Sequence, residues 1–177
     1  MYGAGEENIG KDGKPEHLAV PKPGPNQMLV RVDSVGLCFS DVKLIRMGKD
    51  HPQLDNRDLT KEPTRLGHEA ALTIIEVGEE LQGKYTVGPR VAVQPDIYQN
   101  ANRTAYGYTI PGGLIQNHKI GPDMLETEEG PCLLPITGDM GYAEASLLEP
   151  WGCVLASYTQ RRRLAPKEGG VMWIIGR

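Results

Sequence analysis

Apolar and polar positions alternate from Met28 to Val35, and Gly36 ends the run, so the pattern predicts a half-buried strand. The stretch Ala70 to Val77 is largely apolar, carries paired isoleucines and closes at Gly78, which predicts a buried strand. Arg90 to Gln94, bounded by Gly88-Pro89 and Pro95, predicts another. Thr104 to Ile110 and Leu114 to Ile120 flank Pro111-Gly112-Gly113 in the manner of a hairpin. Helical spacing enters at Val42, Leu44, Ile45 and Met47, with Ser40-Asp41 as the N-terminal cap and Gly48 as the stop. Tyr142 to Leu148 and Pro150 to Gln160 also read as helices, with Pro150 in a first turn where its missing N–H costs nothing.

The intervening segments are polar or broken. Residues 1–27 form a turn-rich lead-in whose candidate strand is Leu18 to Val20. Residues 49–65 are polar and proline-broken and are expected as a surface loop, and Asp123 to Gly130 is acidic and expected to be solvated. Val171-Met172-Trp173-Ile174-Ile175-Gly176 runs apolar into glycine, the way the first strand of a dinucleotide-binding fold opens. The expected organisation is therefore one domain over residues 1–165 and the start of a second over 166–177. Many short strands favour a mainly β barrel or sandwich with short helices, and 22 glycines and 14 prolines agree with that punctuation.

Composition narrows the partners. A net charge of −4, with Arg161-Arg162-Arg163 as the basic run, leaves no broad positive surface for a nucleic-acid backbone. No apolar stretch approaches the ~20 residues that span a bilayer, and the first residues lack the blocks of a signal peptide. The expectation is a cytoplasmic protein with neither nucleic-acid nor membrane partners. Cys38, Cys132 and Cys153 are odd in number and widely spaced, which suits reduced thiols better than a disulfide framework. Asn102-Arg103-Thr104 matches a glycosylation pattern that matters only in secreted chains.

Candidate chemistry gathers at predicted element ends. A catalytic zinc takes about three protein ligands and keeps a fourth position open. Cys38 lies between a strand and a helix, His68-Glu69 at a strand entrance, and Glu149 at a break between helices. Each has a plainer reading: a buried cysteine fills a core, and a histidine beside a glutamate makes a surface pair. Spacing alone leaves both open.

The runs Val35-Gly36-Leu37-Cys38-Phe39-Ser40-Asp41, Leu66-Gly67-His68-Glu69-Ala70, Ile75-Glu76-Val77-Gly78 and Val87-Gly88-Pro89-Arg90-Val91-Ala92-Val93 together resemble the zinc-dependent medium-chain dehydrogenase/reductase family. Ala145-Ser146-Leu147-Leu148-Glu149-Pro150 is similar to the sorbitol dehydrogenase branch, where glutamate and proline replace a cysteine ligand. The resemblance covers roughly residues 18–177. It implies a GroES-like, partly open β-barrel, zinc held by Cys38 and His68 with Glu69 and Glu149 as ligands or near neighbours, and catalytic parts for Ser40 and Glu69. Ser40 matches the hydroxyl that relays the alcohol's proton, and Asp41 becomes a carboxylate behind the ligands, although plain helix capping also explains it. One thiolate, a neutral imidazole and one carboxylate leave zinc formally neutral, whereas a second carboxylate makes the site anionic. Glu69 is therefore expected to leave the metal as substrate arrives.

The implied reaction interconverts an alcohol, polyol, sugar or sugar phosphate and its ketone or aldehyde with NAD or NADP, in a protein that is a homo-oligomer at full length. Three departures stand out. Residues 93–120 contain no cysteine, so the family's four-cysteine structural zinc is not expected. Phe39 stands where some relatives carry a cofactor-phosphate arginine, and no glycine-rich βαβ unit follows Gly176, so these residues alone are expected not to turn over. A binding or assembly module is the rival reading, and a zinc-free quinone reductase relative is a second.

Other signals are set aside. Gly5 to Asp12 nearly matches a phosphate loop, but Asp12 replaces the required Ser or Thr and no strand precedes it. Cys153 is one helical turn beyond Glu149 and is an alternative ligand, with core packing beside Val154 the simpler reading. Cys132 reads as core, and His17, His51 and His118 default to surface or loop. Lys43, Arg46 and Lys49 could meet a phosphorylated sugar, but a solvated helix face explains them.

Overall fold

The computed structural model describes residues 1–54, 57–99, 102–159, 168–171, 173, 175 and 176. The strands are β1 (Met28–Gly36), β2 (Glu69–Val77), β3 (Arg90–Val93), β4 (Asp96–Gln99), β5 (Asn102–Ala105), β6 (Asn117–Ile120) and β7 (Leu133–Pro135). The helices are α1 (Phe39–Met47), α2 (Pro122–Leu125), α3 (Tyr142–Ser146) and α4 (Leu148–Thr159). One sheet runs in the order β6-β1-β2-β3-β7, antiparallel throughout, and β4 and β5 form a separate antiparallel pair. This is the mainly β, open-sheet architecture with short helices that the strand pattern predicts. No helix among the described residues is long and apolar enough to cross a membrane.

β2 sits between β1 and β3, so its first six residues are buried whichever way they point. Met28, Val30, Leu72, Ile74, Val91, Val93, Tyr106, Ile120, Met124 and Leu133 belong to one apolar cluster on this sheet. A second cluster gathers Met1, Leu44, Leu54, Leu59, Leu66 and Tyr108 around α1. α3 fastens to the sheet through polar contacts: Thr73 Oγ1 donates to Asp33 at 2.6 Å and lies 2.9 Å from Tyr142 Oη.

Several expectations give way. Leu18 to Val20 forms no strand, and Leu18 and Val20 are exposed. Residues 49–65 are not merely a surface loop, because His51, Leu54, Leu59 and Thr64 are buried, and Leu54 and Leu59 belong to the second cluster. The expected hairpin about Pro111 is absent: β5 pairs back onto β4, and β6 crosses to β1. Gly112 and Gly113 instead let the chain approach the backbone of residues 65–67, with Gly112 N–H bonded to Arg65 O at 3.0 Å and Gly113 N–H to Gly67 O at 2.7 Å. A Cβ on Gly112 would collide with Leu66 O, so these glycines serve close approach rather than a turn.

Asp123 to Gly130 is solvated only in part. α2 turns Met124 and Leu125 into the main core because they are the apolar face of that acidic stretch. β7 was not foreseen, and the helices expected as Tyr142 to Leu148 and Pro150 to Gln160 are α3 and α4, Gln160 lying outside the described residues. The run Val171 to Gly176 and the triple arginine fall partly or wholly outside the described residues as well.

Candidate metal centre

The antiparallel pairing of β1 and β2 makes the site. Gly36, the last residue of β1, pairs with Glu69, the first of β2, so the chain leaving one strand and the chain entering the other meet at the same end of the ladder. Cys38 follows Gly36 by two positions and His68 precedes Glu69 by one, and the pairing therefore delivers both to one spot. One ligand atom each from Cys38, His68 and Glu69 lies within 4.8 Å of the others. His68 and Glu69 are buried, and Cys38 is half-buried. Gly36 leaves the space that the Glu69 carboxylate fills, since a Cβ there would overlap it.

α1 begins at Phe39 with Cys38 as its cap, two residues before the expected Ser40-Asp41 cap. Ser40 is thereby free to face the site, and its Oγ lies 3.4 Å from His68 Nε2. Asp41 does cap, accepting from Cys38 N–H at 3.0 Å, but it also accepts from Gly67 N–H at 3.1 Å and sits 3.8 Å from His68 Nδ1. Asp41 therefore caps α1 and also stands beside the His68 ring. Burial alone would raise the Asp41 pKa, but His68 and the two backbone donors outweigh it and hold the carboxyl below its usual value.

The imidazole responds in kind. Burial opposes its charged form, yet Asp41 and then Cys38 raise the His68 pKa to about 9. His68 Nδ1 is buried with no hydrogen-bond partner, the Asp41 oxygen being too distant for one. A soft thiol, an imidazole and a carboxylate gathered around a pocket that already attracts a proton suit zinc, with Asp41 behind the histidine as metal-site carboxylates commonly stand.

Glu149 lies outside this group. It is on the first turn of α4, where Cys153 Sγ donates to its Oε1 at 3.2 Å. Cys153 is exposed, as is Val154, so the expected core packing of that thiol does not occur; Cys132 is buried as expected. Lys43, Arg46 and Lys49 are exposed, in keeping with a solvated face. His51 and His118 are buried, against expectation, because each ring has a tyrosine to pack on and a partner for Nδ1.

Tyr108 escaped the sequence reading. Its ring centroid is 5.6 Å from that of His68, and Thr64 Oγ1 donates to its carbonyl. Forty positions separate it from His68, and no periodicity marks such a neighbour.

Residues 24–127 match the alcohol dehydrogenase GroES-like domain. The chain belongs to the medium-chain dehydrogenase/reductase family. It is similar to the L-sorbose 1-phosphate reductase of Klebsiella pneumoniae, at 29% identity over 167 residues, 94% of this chain and 39% of that relative. It is also similar to the NAD-dependent alcohol dehydrogenase of Sulfurisphaera tokodaii, at 43% identity over 88 residues, 49% of this chain and 25% of that one. Among solved structures, 2R,3R-butanediol dehydrogenase from Bacillus subtilis superposes with a TM-score of 0.64 at 26% identity, covering 85% of this chain and 44% of the other. The chain thus spans less than half the length of each of these relatives.

Proposed function

We propose that this protein is the metal-binding catalytic part of a zinc-dependent oxidoreductase, one that interconverts an alcohol, polyol, sugar or sugar phosphate with its ketone or aldehyde using NAD or NADP. The convergence of Cys38, His68 and Glu69 at the open end of the β1–β2 pair carries this reading. The polyol and sugar-phosphate end of the substrate range is supported by the reductase and the butanediol dehydrogenase that the chain resembles.

Cys38 and His68 would hold the metal, with Glu69 and Glu149 sharing the remaining protein position. Zinc bound there supplies Lewis acidity that lowers the pKa of an alcohol hydroxyl. A nicotinamide dinucleotide supplies the hydride-accepting chemistry. Asp41 keeps the His68 ring oriented through its charge while its two backbone bonds hold both ligand-bearing turns together. Ser40 Oγ, 3.4 Å from His68 Nε2, accepts the hydroxyl proton and passes it outward. Glu69 would yield its place at a bound metal to an entering substrate, so that the positive field is not over-neutralised.

Metal analysis tests the reading. About one zinc per chain is expected, lost on Cys38→Ser with His68→Ala and removed by a chelator. A protein that takes up no zinc at these residues belongs instead to one of the zinc-free rivals, a binding or assembly module or a quinone reductase relative.

A further inference from the structure

His51 has no part in the chemistry above, yet it is a buried polar ring joined through Tyr108 to the candidate ligands. It lies on the turn after α1 and is only 8% exposed. Its ring stacks on Tyr108 with centroids 5.3 Å apart and planes inclined by 28°. Tyr108 in turn packs on His68, so His68, Tyr108 and His51 form a row of rings leading away from the candidate ligands.

The hydrogen bonds of His51 define its tautomer. Nδ1 accepts the Gln53 N–H at 3.3 Å, which leaves the proton of a neutral ring on Nε2. Burial, and after it the Lys43 charge, lower the pKa, so the neutral ring prevails at pH 7. Nε2 meets no partner among the described residues, and two positions on, Gln53 Oε1 is buried without one. A neutral N–H left open one ring away from the candidate ligands suits a hydroxyl, and a site built to bond a hydroxyl discriminates strongly against ligands that lack it.

We propose that His51 is a substrate-binding residue whose Nε2–H donates to a hydroxyl of a polyol chain beyond the carbon that is oxidised. The inference rests on the reading that Cys38, His68 and Glu69 hold a metal at which an alcohol reacts. His51 then makes the site prefer polyhydroxylated alcohols over alcohols with a single hydroxyl.

Two substitutions separate binding from loop support. Asn at 51 offers an acceptor near the place of Nδ1 and loses the distal donor, whereas Gln offers a donor near the place of Nε2. The cobalt(II)-loaded protein, followed by its visible absorption, is titrated with D-sorbitol and with 2-propanol. His51→Asn is expected to raise the half-saturating sorbitol concentration roughly tenfold, the loss of about one hydrogen bond. His51→Gln should stay within about twofold of the parent on the same scale, and 2-propanol should not respond to either change. The inference is overturned if His51→Asn leaves sorbitol binding unchanged, if both alcohols weaken together, if only His51→Gln weakens binding, or if sorbitol leaves the parent spectrum unmoved. Failure to load cobalt is seen before any alcohol is added, and it sinks the metal reading and this inference with it.

Discussion

Asp41 accepts a buried hydrogen bond of 3.1 Å from the backbone N–H of Gly67, 26 residues away along the chain. Because the same carboxylate accepts from Cys38 N–H, one side chain ties the turn that carries the thiol to the turn that carries the imidazole. Gly67 can present its N–H there because it holds a φ of +87°, a conformation costly for any residue with a Cβ. Asp41→Asn keeps the shape and removes the charge. The expected result is a His68 pKa that falls from about 9 toward the ordinary histidine value, read by NMR titration of the metal-free protein. Zinc affinity should weaken by roughly 10- to 100-fold, as for other partners of ligand histidines.

Ligand substitution sorts the two glutamates. Cys38→Ser and His68→Ala should each abolish tight zinc binding, measured by competition with a chromophoric chelator. Glu69 is inside the 4.8 Å group and Glu149 is outside it, so Glu69→Gln is expected to weaken zinc binding in the substrate-free protein more than Glu149→Gln does. The reverse order would assign the resting site to Glu149.

Zinc uptake should depend on pH with a definite sign. The metal-free His68 pKa is raised to about 9, so below that pH zinc must displace the imidazole proton. Apparent affinity is therefore expected to climb about tenfold per pH unit from this proton alone, levelling near pH 9. Titrations at pH 6, 7 and 8 check it; a flat profile would show that His68 is not a ligand.

Acid stability reports a different histidine. His118 Nδ1–H donates to Lys119 O at 3.1 Å, so Nε2 is the acceptor and Tyr106 Oη donates to it at 2.6 Å. Burial lowers the His118 pKa from 6.5 to about 4. A depressed folded-state pKa gives stability that is complete above pH 6.5 and lost as pH falls to about 4, here roughly 3 kcal/mol. His51 shifts in the same direction and adds to the loss, whereas the raised pKa of His68 makes its contribution constant below pH 6.5. Urea unfolding between pH 7 and 4.5 should show the decline, and His118→Gln should flatten it. Tyr106→Phe leaves a buried ring nitrogen unpaired and is expected to cost about 1–3 kcal/mol at pH 7.

The strands β1, β2 and β3 and the helix α1 were legible along the chain because each is an apolar pattern or run with clear punctuation, glycine closing β1, β2 and α1 and Gly88-Pro89 and Pro95 bounding β3. The candidates Cys38, His68 and Glu69 were legible as well, but as separate residues at element ends. Local pattern failed where a segment's role is set by what it packs against. Gly112 and Gly113 satisfy the rule for a hairpin turn and are spent instead on contact with residues 65–67. His51 and Tyr108 carry no spacing signal toward His68.

Period and punctuation, then, determined which stretches are strands and helices and which side chains have the chemistry of a metal site, since both are properties of neighbours in sequence. Only the tertiary structure decided that Gly36 pairs with Glu69, that Asp41 bridges to Gly67, and that a ring row runs from His68 to His51. Those are contacts between distant residues, chosen by how the whole core buries its apolar area, and no local period encodes that choice.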